Sequence, residues 1–188
     1  MTTVPPLAAK IRAIGEHANW MLSSDDDTGS FLRTLAASKP AGRFLEVGSG
    51  IGVGSAWLLA GMDAQSVLVG LEIKDNFATV ARDLLKCDSR VTIVTSDASD
   101  WLRGYDGPPF DFAFIDTTIV KFEDRHLLYP HLRRGAIVVA DDLLPQPKWT
   151  EKHPERVDRF RSEVMADPAL LATLVDWASG LLIATFVG

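Results

Sequence analysis

Residues 44–55 read FLEVGSGIGVGS: an apolar run that carries one acid, Glu46, and passes into glycines at 48, 50, 52 and 54. A strand ending in a glycine-rich turn ahead of a helical pattern opens a βαβ unit. In open parallel α/β sheets ligands settle beyond the carboxyl ends of the strands, so the turn 48–54 faces the place a ligand would take. Glycines there let a ligand approach bare backbone. The helix expected from about Val53 turns its first amides toward a negative group. Two nucleotide readings fail on spacing. A dinucleotide fingerprint G-x-G-x-x-G started at Gly48 and Gly50 meets Val53 at its third position, and no Gly-Lys-Ser/Thr follows for a phosphate loop. Glu46 is a poor neighbour for a pyrophosphate and suits a ligand carrying positive charge.

Outward from this stretch, short apolar runs alternate with helical spacing, the pattern of stacked βαβ units. Strands are expected at 43–48, 66–73, 90–97, 110–116 and 135–142. Helical patterns lie between them at 54–62, 76–86 and 121–134, with a short turn at 98–105. Near-continuous apolar strands fit a sheet covered on both faces. At the end of the chain, ALLATLVDWA and GLLIATFVG flank Ser179-Gly180 and read as an antiparallel hairpin. The expected fold is therefore α/β and doubly wound, a mostly parallel seven-stranded sheet closed by a C-terminal antiparallel hairpin. One domain over 1–188 is expected, with a helical leader (1–40) before the core (41–188). In the leader, 7–22 and 29–37 carry helical spacing, and Asp25, Asp26 and Asp27 between them read as a solvated loop with a helix cap.

Composition narrows the partners. The 188 residues suffice for one sizeable core, and 47% hydrophobic with 23% charged residues describes an ordinary globule. A net charge of -6 argues against a nucleic-acid partner. The single cysteine, Cys87, forms no internal disulfide and suits a reducing compartment. The start lacks a secretory pattern and no apolar run reaches membrane-spanning length, so no membrane partner and a cytoplasmic location are expected. A homodimer through the leader helices is compatible with the sequence, though no residue pattern establishes it.

Further acids stand at equivalent strand ends. Glu72, with Ile73 after it, closes the second strand, where a carboxylate can accept from both ribose hydroxyls. Asp97 closes the third and is followed by Ala98, with Trp101 one turn on as a flat wall for a purine. Asp116 closes the fourth. A ribose, a base and a cationic portion are implied, without a phosphate. These residues, LEVGSGIG, GLEI, SDAS, FAFID and VVADD, resemble the class I S-adenosylmethionine-dependent methyltransferases, whose sheet is Rossmann-like. More narrowly, they resemble the small O-methyltransferases of the catechol and caffeoyl-CoA type, over roughly Ser23 to the end of the chain.

The resemblance implies S-adenosylmethionine as cofactor and oxygen of a small hydroxylated, aromatic molecule as acceptor. Glu46, Gly48, Ser49, Gly50 and Gly52 would lie at the cofactor's amino-acid portion, Glu72 and Ile73 at the ribose, and Asp97, Ala98 and Trp101 at the adenine. Asp116 would sit at the reacting end. Glu46 alone reads equally well as a paired strand-end acid. The family's metal-dependent branch implies a divalent ion such as Mg²⁺, Ca²⁺ or Mn²⁺ on Asp116, Asp141 and Asp142. Two departures bear on this: Asp142 stands where the family has asparagine, and Ile119 where it has a lysine as base. Lys121, two residues on, is either a displaced base or a solvated helix-start lysine, the latter favoured by lysine's habit. Asp116 and Lys121 are the candidate catalytic pair. His153 and Trp149 lie in a Pro-rich loop over 143–153, His153 as base or surface residue and Trp149 as acceptor platform or core cover. Two other readings remain: methyl transfer to nitrogen or carbon without metal, and a cofactor-binding module without turnover.

Overall fold

A computed structural model describes residues 3–20, 24–146 and 149–188. In chain order it contains α1 (Pro6–His17), α2 (Asp26–Ala37), β1 (Arg43–Val47), α3 (Val53–Gly61), β2 (Val67–Glu72), α4 (Asp75–Leu85), β3 (Val91–Thr95) and α5 (Ala98–Gly104). There follow β4 (Phe110–Ile115), α6 (Thr118–Phe122), β5 (Leu132–Ala140), α7 (His153–Ala166), β6 (Leu170–Val175) and β7 (Leu181–Phe186). One seven-stranded sheet has the order β3-β2-β1-β4-β5-β7-β6. The first five pair in parallel, and β7 inserts antiparallel between β5 and β6. Strand order reverses between β1 and β4, which places the crevice of a doubly wound sheet at their carboxyl ends.

The two-residue period of the strands sorts side chains onto two faces. Phe44, Leu68, Ile93, Phe112, Phe114 and Val139 pack under α1, α2, α3 and α4. Leu45, Val47, Leu71, Ala113, Ile115 and Val138 pack under α5, α6, α7 and the hairpin. Glu46 lies two residues from Phe44, so its carboxylate is directed to the α3 face. The leader is tied in by close contact: a Cβ on Gly29 of α2 would stand 2.3 Å from Trp57 Nε1 of α3.

Several elements differ from the sequence expectation. α1 stops at His17, short of 22, and Asn19 beyond it takes a φ of 57°; residues 21 and 22 lie outside the described part. α2 starts three residues earlier than 29, because Asp25 caps it by accepting from Thr28 N at 2.7 Å. The helical pattern 121–134 breaks after Phe122 into two short 3₁₀ turns, the second containing Pro130, whose ring cannot continue a helix. β5 begins at Leu132, ahead of the expected 135, through a bulge at Gly135, whose φ is 87°. α7 had no expected counterpart. Charged residues dominate its sequence, and Val157, Phe160 and Val164 alone form its inward stripe.

Candidate functional site

The glycine turn holds the protein's own carboxylate before it holds anything else. Glu46, 1% exposed, accepts a hydrogen bond from Ser55 Oγ in the first turn of α3. A Cβ on Gly54 would stand 2.2 Å from Glu46 Oε1, so Gly54 is the space the carboxylate occupies. The negative group expected at the amino end of α3 is thus Glu46 itself, favourably placed for the helix dipole. Burial pushes this carboxyl up to about 7, against the pull of the Ser55 hydroxyl and aided by the charge of Glu72.

Gly48 has a φ of 95°, and a Cβ there would meet the Asp116 carbonyl at 2.6 Å. The turns after β1 and β4 therefore close on each other and bring Asp116 beside the glycine turn. Ser49 Oγ and Thr117 Oγ1, one from each turn, are buried without a hydrogen-bond partner among the described residues. At the end of β2, Glu72 accepts Gly50 N at 2.9 Å on one oxygen and Lys74 N at 2.8 Å on the other. Each oxygen keeps a further lone pair. Ile73 beside it is 63% exposed. Asp97 caps α5 by accepting Asp100 N at 3.0 Å, and Ala98 begins that helix. Ligand-sized chemistry at this end thus has acids oriented by main-chain amides and two orphaned hydroxyls.

Trp101 is a correction. α5 runs back along the sheet, and the indole stacks on Tyr105 at 4.6 Å and reaches Phe110, the first residue of β4, at 6.3 Å. That is the end of the sheet opposite Asp97, so the half-buried indole packs against the core and its ring is directed away from the end where Asp97 stands.

The other half of the site lies where β4 and β5 end. Asp141, 2% exposed, accepts from Ser179 Oγ in the hairpin loop and from Asp142 N at 2.7 Å. Ser179 Oγ also lies 3.3 Å from Thr28 Oγ1 at the start of α2. Asp142 takes a φ of 61°. Lys121 is not solvated, the second correction: it is 2% exposed, and Nζ donates to the main-chain oxygen of Asp141. In α6, Val120, Lys121 and Phe122 are all buried. Ile119 takes the exposed side at 48%. Burial, with the nearby charge of Asp141, pushes Asp116 up to about 8, opposed by the Lys121 ammonium. Burial likewise raises Asp141 to about 6, opposed by the Ser179 hydroxyl.

Asp116, Asp141 and Asp142 are the right donors for a hard divalent ion but are not arranged as its ligands. Among the described residues no three His, Cys, Asp or Glu side chains form a group that could hold a metal. Oδ1 of Asp141 accepts from both Ser179 Oγ and Asp142 N, and the Lys121 ammonium already sits in the cluster. His153 opens α7 rather than lying in a loop; its ring packs on Trp149 at 4.4 Å and on Phe122 at 5.3 Å. The sequence reading missed Ser55, Thr28 and Ser179. Of these only Ser55 had a local signal, a hydroxyl one turn into the helix that follows the acid. A 430 Å³ cavity lies elsewhere, between α6, the 3₁₀ turns and α7, where Arg125, Glu163, Arg159 and Glu123 pair with one another. No helix among the described residues is long and apolar enough to cross a membrane.

Comparison with known proteins agrees with this layout. The profile of a family described as "Methyltransferase domain" matches residues 45–143, from β1 to the residues after β5. A catechol O-methyltransferase of Mycobacterium tuberculosis is 32% identical over 148 residues, which are 74% of this chain and 66% of that protein. The chain thus spans about two-thirds of that relative's length. The O-methyltransferase TomG of Streptomyces achromogenes, solved with SAM, shares the fold at a TM-score of 0.86 and 23% identity, over 100% of this chain and 92% of its own. An O-methyltransferase from Bacillus cereus, solved with SAH, does so at 0.84 and 22%, over 96% and 90%.

Proposed function

Because this chain belongs to the methyltransferase-domain family and, within it, to the S-adenosylmethionine-dependent O-methyltransferases, we propose that it methylates an oxygen of a small hydroxylated aromatic acceptor. The observation that carries the reading is the meeting of Glu72, Asp97 and Asp116 at the carboxyl ends of β2, β3 and β4, beside two turns that each carry a buried hydroxyl without a partner among the described residues, Ser49 and Thr117. The unused lone pairs of Glu72 accept the two ribose hydroxyls, with Ile73 as an apolar cover beside them. Asp97 and Ala98 face the adenine. Gly48, Ser49, Gly50 and Gly52 flank the amino-acid portion, and Ser49 Oγ gains there the partner it lacks. Glu46 acts one layer deeper, by holding Ser55 and with it the start of α3.

When bound, S-adenosylmethionine supplies a methyl group already activated on a sulfonium, so the protein's task is alignment and removal of one proton. Asp116 Oδ receives that proton from the acceptor hydroxyl. A carboxyl raised to about 8 is a strong proton acceptor in its ionised fraction. No step runs through a divalent ion, because the acids do not form a ligand set. Calorimetry with S-adenosylhomocysteine tests the reading. Micromolar binding that fails in Glu72→Ala is expected, and absence of binding to the wild-type protein would sink it. Binding without turnover over a panel of phenolic acceptors would instead indicate a non-catalytic module.

A further inference from the structure

Resting on that reading, we propose that the ammonium of Lys121 takes, at the acceptor end of the site, the place of the divalent cation used in metal-assisted methyl transfer. Lysine is almost never fully buried unless acids compensate it, yet Lys121 is 2% exposed. It comes from α6, immediately after Asp116, and crosses to the end of β5, where Nζ donates to the Asp141 main-chain oxygen. Its charge acts on both Asp116 and Asp141. At the Asp141 carboxylate, Ser179 Oγ and Asp142 N both donate to Oδ1. An internal cation works against a second, divalent charge in the same space. An ammonium offers three N–H donors, one of them spent on the Asp141 main-chain oxygen, whereas a divalent ion gathers roughly six or more oxygen ligands around itself. An acceptor with a single reacting hydroxyl therefore suffices, with no need for a vicinal pair to chelate.

The test is a Mn²⁺ titration followed by the paramagnetic resonance signal of the free ion, on the wild-type protein and Lys121→Met, each with and without S-adenosylhomocysteine. Met keeps the buried stem and removes the charge; Lys121→Gln replaces it if that variant does not fold. Mn²⁺ binding at least tenfold tighter in the variant than in the wild type is expected. Equal affinity in the two proteins, or tighter binding by the wild type, would overturn the proposal. Calorimetry of S-adenosylhomocysteine on the same wild-type sample reads the cofactor assignment separately, so failure of one claim is distinguishable from failure of the other.

Discussion

The two halves of the site neutralise their acids by different means. Beyond β1 and β2, Glu46 and Glu72 are held by a helix-start hydroxyl and by main-chain amides of the glycine turn and the following helix. Beyond β4 and β5, Asp116 and Asp141 lie in the field of a lysine from α6 that donates to the Asp141 main-chain oxygen, and Asp141 Oδ1 accepts from a hairpin-loop serine and the amide of Asp142. In the first half the donors lie within 22 residues of the acids in sequence, and in the second Ser179 comes from 38 residues away. Main-chain donors have fixed directions and leave the acid available to a ligand. A side-chain cation fills the space it neutralises. The first half is built to receive, and the second is already furnished.

The contrast can be broken experimentally, and the largest effect is expected at Glu72. Charge-assisted hydrogen bonds contribute about 1.5–3 kcal/mol each, so Glu72→Ala should weaken S-adenosylhomocysteine at least about 100-fold by calorimetry. Asp142→Asn, in the furnished half, should change it less than about threefold. Equal losses in the two variants would erase the distinction between the halves.

Next in size is a pH effect on stability. Glu46 binds its proton more tightly folded than unfolded, so between about 4.5 and about 7 the native state holds more protons. Stability conferred by the neutral carboxyl is present at low pH and is lost as pH rises through that window. The loss is bounded at about 3 kcal/mol. Urea unfolding at pH 5 and pH 8 should therefore show a smaller drop for Glu46→Gln than for the wild type, and parallel profiles would remove Glu46 from the account. Asp116, raised to about 8, adds a drop of the same sign in both proteins.

Gly54→Ala should cost about 2 kcal/mol, because the added carbon falls on Glu46 Oε1. The cost should shrink in the Glu46→Ala background, a coupling measurable as a double-mutant cycle. The smallest effect is expected at Trp101→Phe, where cofactor affinity should stay within about twofold while stability falls modestly. A tenfold loss of affinity there would restore Trp101 to the crevice.

Strands, hairpin and strand-end acids were legible because a two-residue period and a strand-to-turn junction are local features. Glu46, Glu72, Asp97 and Asp116 each stand where such a junction ends. Trp101 was misread because spacing puts it one turn after Asp97, whereas the direction of a helix packed back along the sheet decides which end its side chains reach. α7 escaped notice because its inward stripe is three residues wide in a charged sequence.

Sequence by itself determined the order of the elements, the place of the glycine turn and which strands end in acids, since these follow from local periodicity and backbone chemistry. Only the tertiary structure decided the partners of those acids: that Gly54 makes room for Glu46, that Lys121 is buried rather than solvated, and that Ser179, beside Thr28, donates to Asp141. The reason is physical. A buried charge takes its partner from whatever segment packing brings within hydrogen-bond reach, and that distance is not written in the spacing along the chain.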